Sequence, residues 1–195
     1  MNARARLREA KRIVVKVGTS TLTHPSGGMN LHRMEHLVRE LIDEANQGKD
    51  ILLVSSGAIA AGMNTLGLKE RPANIPARQA LAAIGQGALL HIYEKFFHEY
   101  GRTMAQILLT KENAARHHQY MNSRNALLAL LGMNVIPVIN ENDAVAVDEI
   151  KIGDNDNLSA VVAALVDADA LIILSDIDGE EGGGDEVEGQ DHGGV

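Results

Sequence analysis

Short aliphatic runs alternate with longer segments of helical periodicity along this chain, and that alternation limits the possible folds more than any other feature. The runs predict buried strands at residues 13–17, 51–54, 104–109, 135–139 and 171–174. Helical spacing predicts intervening helices at residues 31–46, 77–100, 124–131 and 158–166. Because parallel strands require long crossover connections, the pattern predicts an α/β fold with an open, mostly parallel sheet and helices on both faces.

The predicted helix at residues 77–100 is unusually long and contains two helix-weakening residues. Gly85 and Gly87 leave open whether this segment forms one helix or two shorter ones. Its apolar stripe is more typical of a core or a subunit interface than of a ligand site. The stripe consists of Leu81, Ile84, Leu89, Ile92, Phe96 and Phe97.

Polar and conformationally restricted residues set the expected boundaries of several elements. Asn30 is placed to cap the first long helix, and Asn122 or Ser123 to cap the third. Residues 64–75, interrupted by Gly and Pro, are expected to form a loop. Pro137 has no N–H to donate, so we expect it at an edge strand, a bulge or a strand end.

Small polar loops follow the first two predicted strands. The sequence KVGTS at residues 16–20 ends the first strand, and SSG at residues 55–57 follows the second. A single KVGTS segment is also typical of an ordinary turn with a surface lysine. Because open α/β sheets bind ligands outside the carboxyl ends of their strands, the repetition favours a ligand-binding edge.

Two clusters of Asn and acidic residues strengthen this prediction. NEND at residues 140–143 follows the fourth predicted strand, and GDNDN at residues 153–157 precedes the last predicted helix. Either Asn157 or Asp156 is expected to cap that helix, whose N-terminal N–H groups suit an anion or a zwitterionic molecule. A polar turn beside a capped helix is the alternative, but two such clusters indicate the rim of a site.

Composition excludes several classes of function. At 195 residues the chain allows one domain with at most a small appendage, and with 45% apolar but 3% aromatic residues its core must be aliphatic. Without cysteine it has neither disulfides nor thiol chemistry, which fits a cytoplasmic location. No apolar run is long enough for a membrane span.

The net charge of −8 belongs mostly to the end of the chain. Six acids lie in residues 180–195 without a basic partner, so residues 1–179 carry only −2 and offer no basic face for nucleic acid. The Gly-rich acidic segment cannot bury enough apolar surface to fold. We therefore expect a domain at residues 1–179 and a disordered tail at 180–195.

Four motifs, taken in order, resemble the glutamate 5-kinases of the amino acid kinase family, over roughly residues 11–179. They are VVKVGTS (14–20), SSGAIAAG (55–62), VIPVINENDAV (135–145) and IKIGDNDNLSA (150–160). The resemblance implies an αβα sandwich and an enzyme that uses ATP and Mg²⁺ to phosphorylate the γ-carboxylate of L-glutamate, the first step of proline biosynthesis. It also implies feedback inhibition by L-proline and a homo-oligomer.

The same resemblance assigns roles to individual residues. Lys16 and Asp156 would be catalytic, with Asp156 orienting lysine side chains around the transferred phosphoryl group. Glutamate would be held by Ser56, Asp143 and Asn155. The ATP-binding residues would be Lys16, Gly18, Thr19, Ser20, Ser175 and Asp176. No side chain is assigned to a metal.

The chain departs from this family after residue 179. The family continues with a glycine-rich loop and a second lysine near the phosphates, whereas Lys151 is the last Lys or Arg here. We therefore expect the C-terminal part of the fold to be missing, with the glutamate side complete, the ATP side half absent and catalysis weak. A non-catalytic glutamate- or proline-binding or regulatory module is the alternative function. A kinase of the same fold acting on acetylglutamate or aspartate is another.

Overall fold

The computed structural model describes residues 7–110, 117–143 and 155–175, and within them helices and strands alternate as the sequence pattern predicts. All five predicted strands are present, each within two residues of its predicted ends. The strands are β1 (Arg12–Val17), β2 (Asp50–Ser55), β3 (Met104–Leu109), β4 (Ile136–Glu141) and β5 (Ala170–Leu174). The helices are α1 (Thr19–Leu22), α2 (Leu31–Asn46), α3 (Ala58–Leu66), α4 (Ile75–Glu99), α5 (His117–Gly132) and α6 (Asp156–Leu165).

The strands form one parallel sheet in the order β3-β4-β2-β1-β5. At the carboxyl end of β1, Val17 pairs with Ser55 of β2 on one side and with Leu174 of β5 on the other. The loops after β1, β2 and β4 therefore lie together at the end of the sheet where the strands have their carboxyl termini. This arrangement confirms the predicted α/β fold class.

Helices cover both faces of the sheet, because side chains of successive strand residues point to opposite sides. Val15 and Val17 belong to a core with α2 and α4, whereas Val14 belongs to a second core with α5 and α6. Most buried residues are aliphatic, as the composition predicts. Two aromatic residues of α4, Tyr93 and Phe97, are nevertheless among the largest fully buried side chains.

A close contact between the backbones of α3 and α4 explains why glycine is found at positions 62 and 85. A Cβ added to Gly85 would lie 1.7 Å from the carbonyl oxygen of Ala58, and one added to Gly62 would lie 2.1 Å from that of Leu81. Only glycine fits at such a backbone approach. Residues 75–99 form a single helix, so Gly85 permits the crossing rather than interrupting the helix.

Several predicted boundaries were wrong. The helix α3 extends to Leu66, so the expected loop at 64–75 begins later. The third long helix already includes His117, which places Asn122 and Ser123 inside it rather than at its cap. Within α4, Ile84 of the apolar stripe is 41% exposed, so of the two roles expected for that stripe it does not fill the core role. The Asn30 prediction was confirmed, because its side chain accepts a hydrogen bond from Arg33 N at 3.1 Å.

Pro137 lies in an interior strand, between β3 and β2, rather than at an edge of the sheet. It is the second residue of β4, and the pairing of β4 with β2 begins only at the next residue, Val138. Of the three positions expected for this proline, the strand end is therefore the observed one. Among the described residues, no helix combines the length and apolarity needed to cross a bilayer.

Candidate functional site

A cavity of about 310 Å³ lies where the carboxyl ends of β2 and β4 meet the start of α6. Four of the predicted site residues line it: Thr19, Ser56, Asp143 and Asn155. The remainder of the lining consists of Gly57, Ala58, Ile59, Ala60, Met63, Arg71, Asn140 and Glu141. Segments far apart in the sequence thus supply one concave site with a mixture of polar and apolar groups.

Asn155 connects the loops that follow β2 and β4. Its Nδ2 lies 2.7 Å from the backbone oxygen of Ser55, 2.9 Å from Ser56 Oγ and 3.0 Å from Asn140 Oδ1. Asn155 occupies the N-cap position of α6, yet its side chain makes no capping hydrogen bond. The expectation that Asp156 or Asn157 caps this helix was therefore wrong, since Asn155 holds that position and its side chain fixes the site instead.

A chain of buried and partly buried hydrogen bonds continues from Asn155 toward α4. Asn140 is 3% exposed, and its Nδ2 donates to Gln86 Oε1 at 2.7 Å. On the other side, Ser55 Oγ lies 2.9 Å from the hydroxyl oxygen of Tyr93. Burial raises the pKa of the Tyr93 phenol, so it stays protonated and able to donate. The polar base of the cavity is thereby tied to the longest helix.

Lys16 is 3% exposed, so the alternative of a surface lysine was wrong. Its Nζ lies 2.9 Å from Asp156 Oδ1, which belongs to the first turn of α6. A buried ammonium requires such an opposite charge, because desolvation otherwise disfavours the charged form. The two residues assigned to catalysis are therefore in direct contact. Asp156 directly follows Asn155 in the sequence.

Two glycines lie beside these groups. Gly57 has a φ of +99°, a left-handed conformation that favours glycine, and it turns the chain from Ser56 into α3. A Cβ added to Gly18 would lie 3.6 Å from Lys16 Nζ and 3.9 Å from Ser20 Oγ. Gly18 therefore lies in van der Waals range of both groups at the end of β1.

The residues assigned to ATP gather around the end of β1. Gly18 is the N-cap of the short helix α1, which contains Thr19 and Ser20. Ser175 directly follows β5, the strand that pairs with β1. Asp176 lies outside the described residues, as does the predicted tail at 180–195.

The charged residues of the cavity act on one another. The pKa of Asp143 is raised to about 6, first by burial and second by the Glu141 carboxylate, against the opposing effect of the Arg71 guanidinium. A carboxylate in this setting gains most from a ligand that brings a positive charge. Asp143 is therefore suited to an ammonium group.

Sequence reasoning did not identify every residue at the site. Arg71, Gln86 and Tyr93 carry no local signal, because a loop arginine and two helix residues reach the site only through tertiary packing. Asn140 and Glu141 were noticed as part of a polar cluster, but without individual roles. Within residues 7–110, 117–143 and 155–175, no cluster of three or more His, Cys, Asp or Glu side chains is arranged to hold a metal.

A model of the amino acid kinase family matches residues 11–179, which is most of the chain. The chain belongs to the amino acid kinase family. Its relatives include proteins named glutamate 5-kinase from Moorella thermoacetica, Caldanaerobacter subterraneus subsp. tengcongensis and Clostridium tetani. They are 58%, 62% and 58% identical to it over 90%, 86% and 91% of its length.

This amino acid kinase family member matches only part of each relative. The matched region covers 47% of the Moorella protein, 45% of the Caldanaerobacter protein and 67% of the Clostridium tetani protein. The chain therefore spans about half to two thirds of the length of these relatives.

Proposed function

We propose that this chain provides the glutamate-binding and part of the phosphate-binding machinery of a glutamate 5-kinase, which transfers a phosphoryl group from ATP to the γ-carboxylate of L-glutamate. One observation carries the proposal. Ser56, Asp143 and Asn155, from three separate segments, line one cavity, and Asn155 directly precedes the Asp156 that pairs with Lys16. The names of the relatives supply the substrate.

Each polar group of the cavity suits one part of glutamate. Asp143 offers a negative charge to the substrate ammonium. Ser56 Oγ accepts a hydrogen bond from Asn155, so the Ser56 hydroxyl hydrogen remains to be donated to a substrate carboxylate. Neutral donors at this point bind oxygen atoms without adding charge repulsion.

Phosphoryl transfer to a carboxylate depends mainly on positioning and charge neutralisation. The nucleophile is ionised near neutral pH and needs no general base. Lys16 would contact the transferred group, while Asp156 holds its ammonium at the sheet edge. Mg²⁺, when bound with ATP, neutralises phosphate oxygens.

A second candidate is a glutamate- or proline-binding module without catalysis. It requires only the cavity, whose polar lining residues Ser56, Asp143 and Asn155 suit a free amino acid, and no bound nucleotide. Proline would then be a ligand of the same cavity.

Two measurements on this chain test and separate the candidates. Titration calorimetry is carried out with glutamate and with proline, and glutamate should bind. A coupled assay should show ADP release that depends on glutamate. Binding with ADP release supports the kinase, and binding without release supports the module. If neither glutamate nor proline binds, both proposals are wrong.

A further inference from the structure

Arg71 is the one cation among the described residues that line the cavity. It lies in the loop between α3 and α4 and is exposed, so we call its end of the cavity the mouth. Two carboxylates, Glu141 and Asp143, line the same space. Within the part of the chain that the structure describes, no carboxylate lies close enough to form an ion pair with Arg71.

The charges at the mouth complement an amino acid head group. A free amino acid presents an ammonium and a carboxylate on the same carbon. Asp143 suits the ammonium, and a guanidinium binds a carboxylate through two parallel hydrogen bonds. Because Arg71 and Asp143 line the same cavity of about 310 Å³, both side chains can act on one small ligand.

Burial gives the bound molecule a direction. Arg71 is exposed, whereas Asn155 is 9% exposed at the base of the cavity and next to the Lys16–Asp156 ion pair. A glutamate with its head group at the mouth would therefore extend its side chain inward. Its γ-carboxylate would then approach the groups assigned to phosphoryl transfer.

We propose that Arg71 binds the α-carboxylate of the substrate and selects amino acids in which this group is free. This inference rests on the proposed function, because it presupposes that the cavity holds glutamate. It makes Arg71 a specificity-determining residue, distinct from the residues that the γ-carboxylate meets.

The test compares glutamate with its α-amide, which keeps the ammonium and γ-carboxylate but lacks the α-carboxylate charge. Titration calorimetry on the whole chain would use Arg71→Gln and, as a matched control in the same loop, Lys69→Gln, since Lys69 does not line the cavity. The unaltered chain should bind the α-amide about tenfold more weakly than glutamate. Arg71→Gln should weaken glutamate binding about tenfold and leave α-amide binding unchanged. Lys69→Gln should change neither.

The possible failures are distinguishable. If Arg71→Gln weakens both ligands equally, or neither, the assignment of Arg71 is wrong and the proposed function stands. An equal loss from Lys69→Gln would show that only the general loop charge matters, which also overturns the assignment. If the unaltered chain binds no glutamate, the proposed function fails and this inference fails with it.

Discussion

Asp143 combines the cost of burying a carboxylate with the proposed task of binding the substrate ammonium. Its pKa is raised to about 6 by burial first and by Glu141 second, against the opposing effect of Arg71. The folded state therefore binds a proton more tightly than the unfolded state does. Ionised Asp143 destabilises the fold above about pH 6, and this penalty disappears as the pH falls toward the usual aspartate pKa of 3.8.

We expect Asp143→Asn to stabilise the chain at pH 7 while weakening its binding of glutamate. The pKa shift corresponds to a gain of about 1–3 kcal/mol in the free energy of unfolding. Urea denaturation at pH 7 and pH 4 measures it, and the difference between variant and parent should shrink at the lower pH. Glutamate binding by the parent should weaken below pH 6, because protonation removes the counter-charge. Equal stability of the two proteins at pH 7 would contradict the origin of the pKa shift.

At the scale of secondary-structure elements, the contact of α3 with α4 positions two sides of the cavity. Ala58 and Met63 of α3 line the cavity, while Gln86 and Tyr93 of α4 hold its polar base from behind. The separation of these helices is set by the backbone contact at Gly62 and Gly85. A change in that separation should therefore affect both the stability and the shape of the site.

We expect Gly85→Ala to lower the free energy of unfolding by about 1–3 kcal/mol, because the added methyl group would overlap the Ala58 carbonyl oxygen. Gly87→Ala is the matched control on the same helix, since an added Cβ there has no neighbour within 4 Å. It should raise stability by about 0.5–1 kcal/mol through helix propensity. Thermal and urea unfolding measure both, and similar effects of the two substitutions would show that the crossing is not tight.

At the scale of the whole molecule, exposed apolar side chains concentrate near α4. Leu66, Leu68, Ile75 and Ile84 are each more than 40% exposed and lie within 19 residues of one another in the sequence. Ile84 belongs to the stripe that was predicted to serve either the core or a subunit interface. Its exposure favours the interface.

We expect the chain to form dimers or larger species, and Ile84→Lys to shift it toward monomers. Met133→Lys is the control, because Met133 is 70% exposed just after α5 and does not belong to that group. Light scattering with size-exclusion chromatography measures the mass. A monomeric parent at high concentration, or an equal effect of the two substitutions, would contradict this prediction.

The sequence pattern was sufficient for the strands and for gathering the polar loops, because buried β-branched runs and turn residues act locally. It was insufficient where tertiary packing determines the position and the contacts of a side chain. The sequence predicts Asp156 or Asn157 as the cap of α6, but Asn155 holds that position and its side chain lies within hydrogen-bond distance of three acceptors from distant loops. Arg71 reaches the cavity only because the α3–α4 crossing places its loop there. Ile84 fits the helical stripe, yet it is 41% exposed among the residues that the structure describes.

The hydrogen bond from Asn155 to the backbone oxygen of Ser55 joins residues that are 100 positions apart. Contacts of such long range form late in folding, since closing a long loop is entropically costly. During synthesis, the second strand leaves the ribosome long before the residue that completes the cavity around it. We therefore expect the proposed cavity to bind glutamate only after residue 155 has been synthesised, and this binding should slow unfolding without accelerating the early steps of folding.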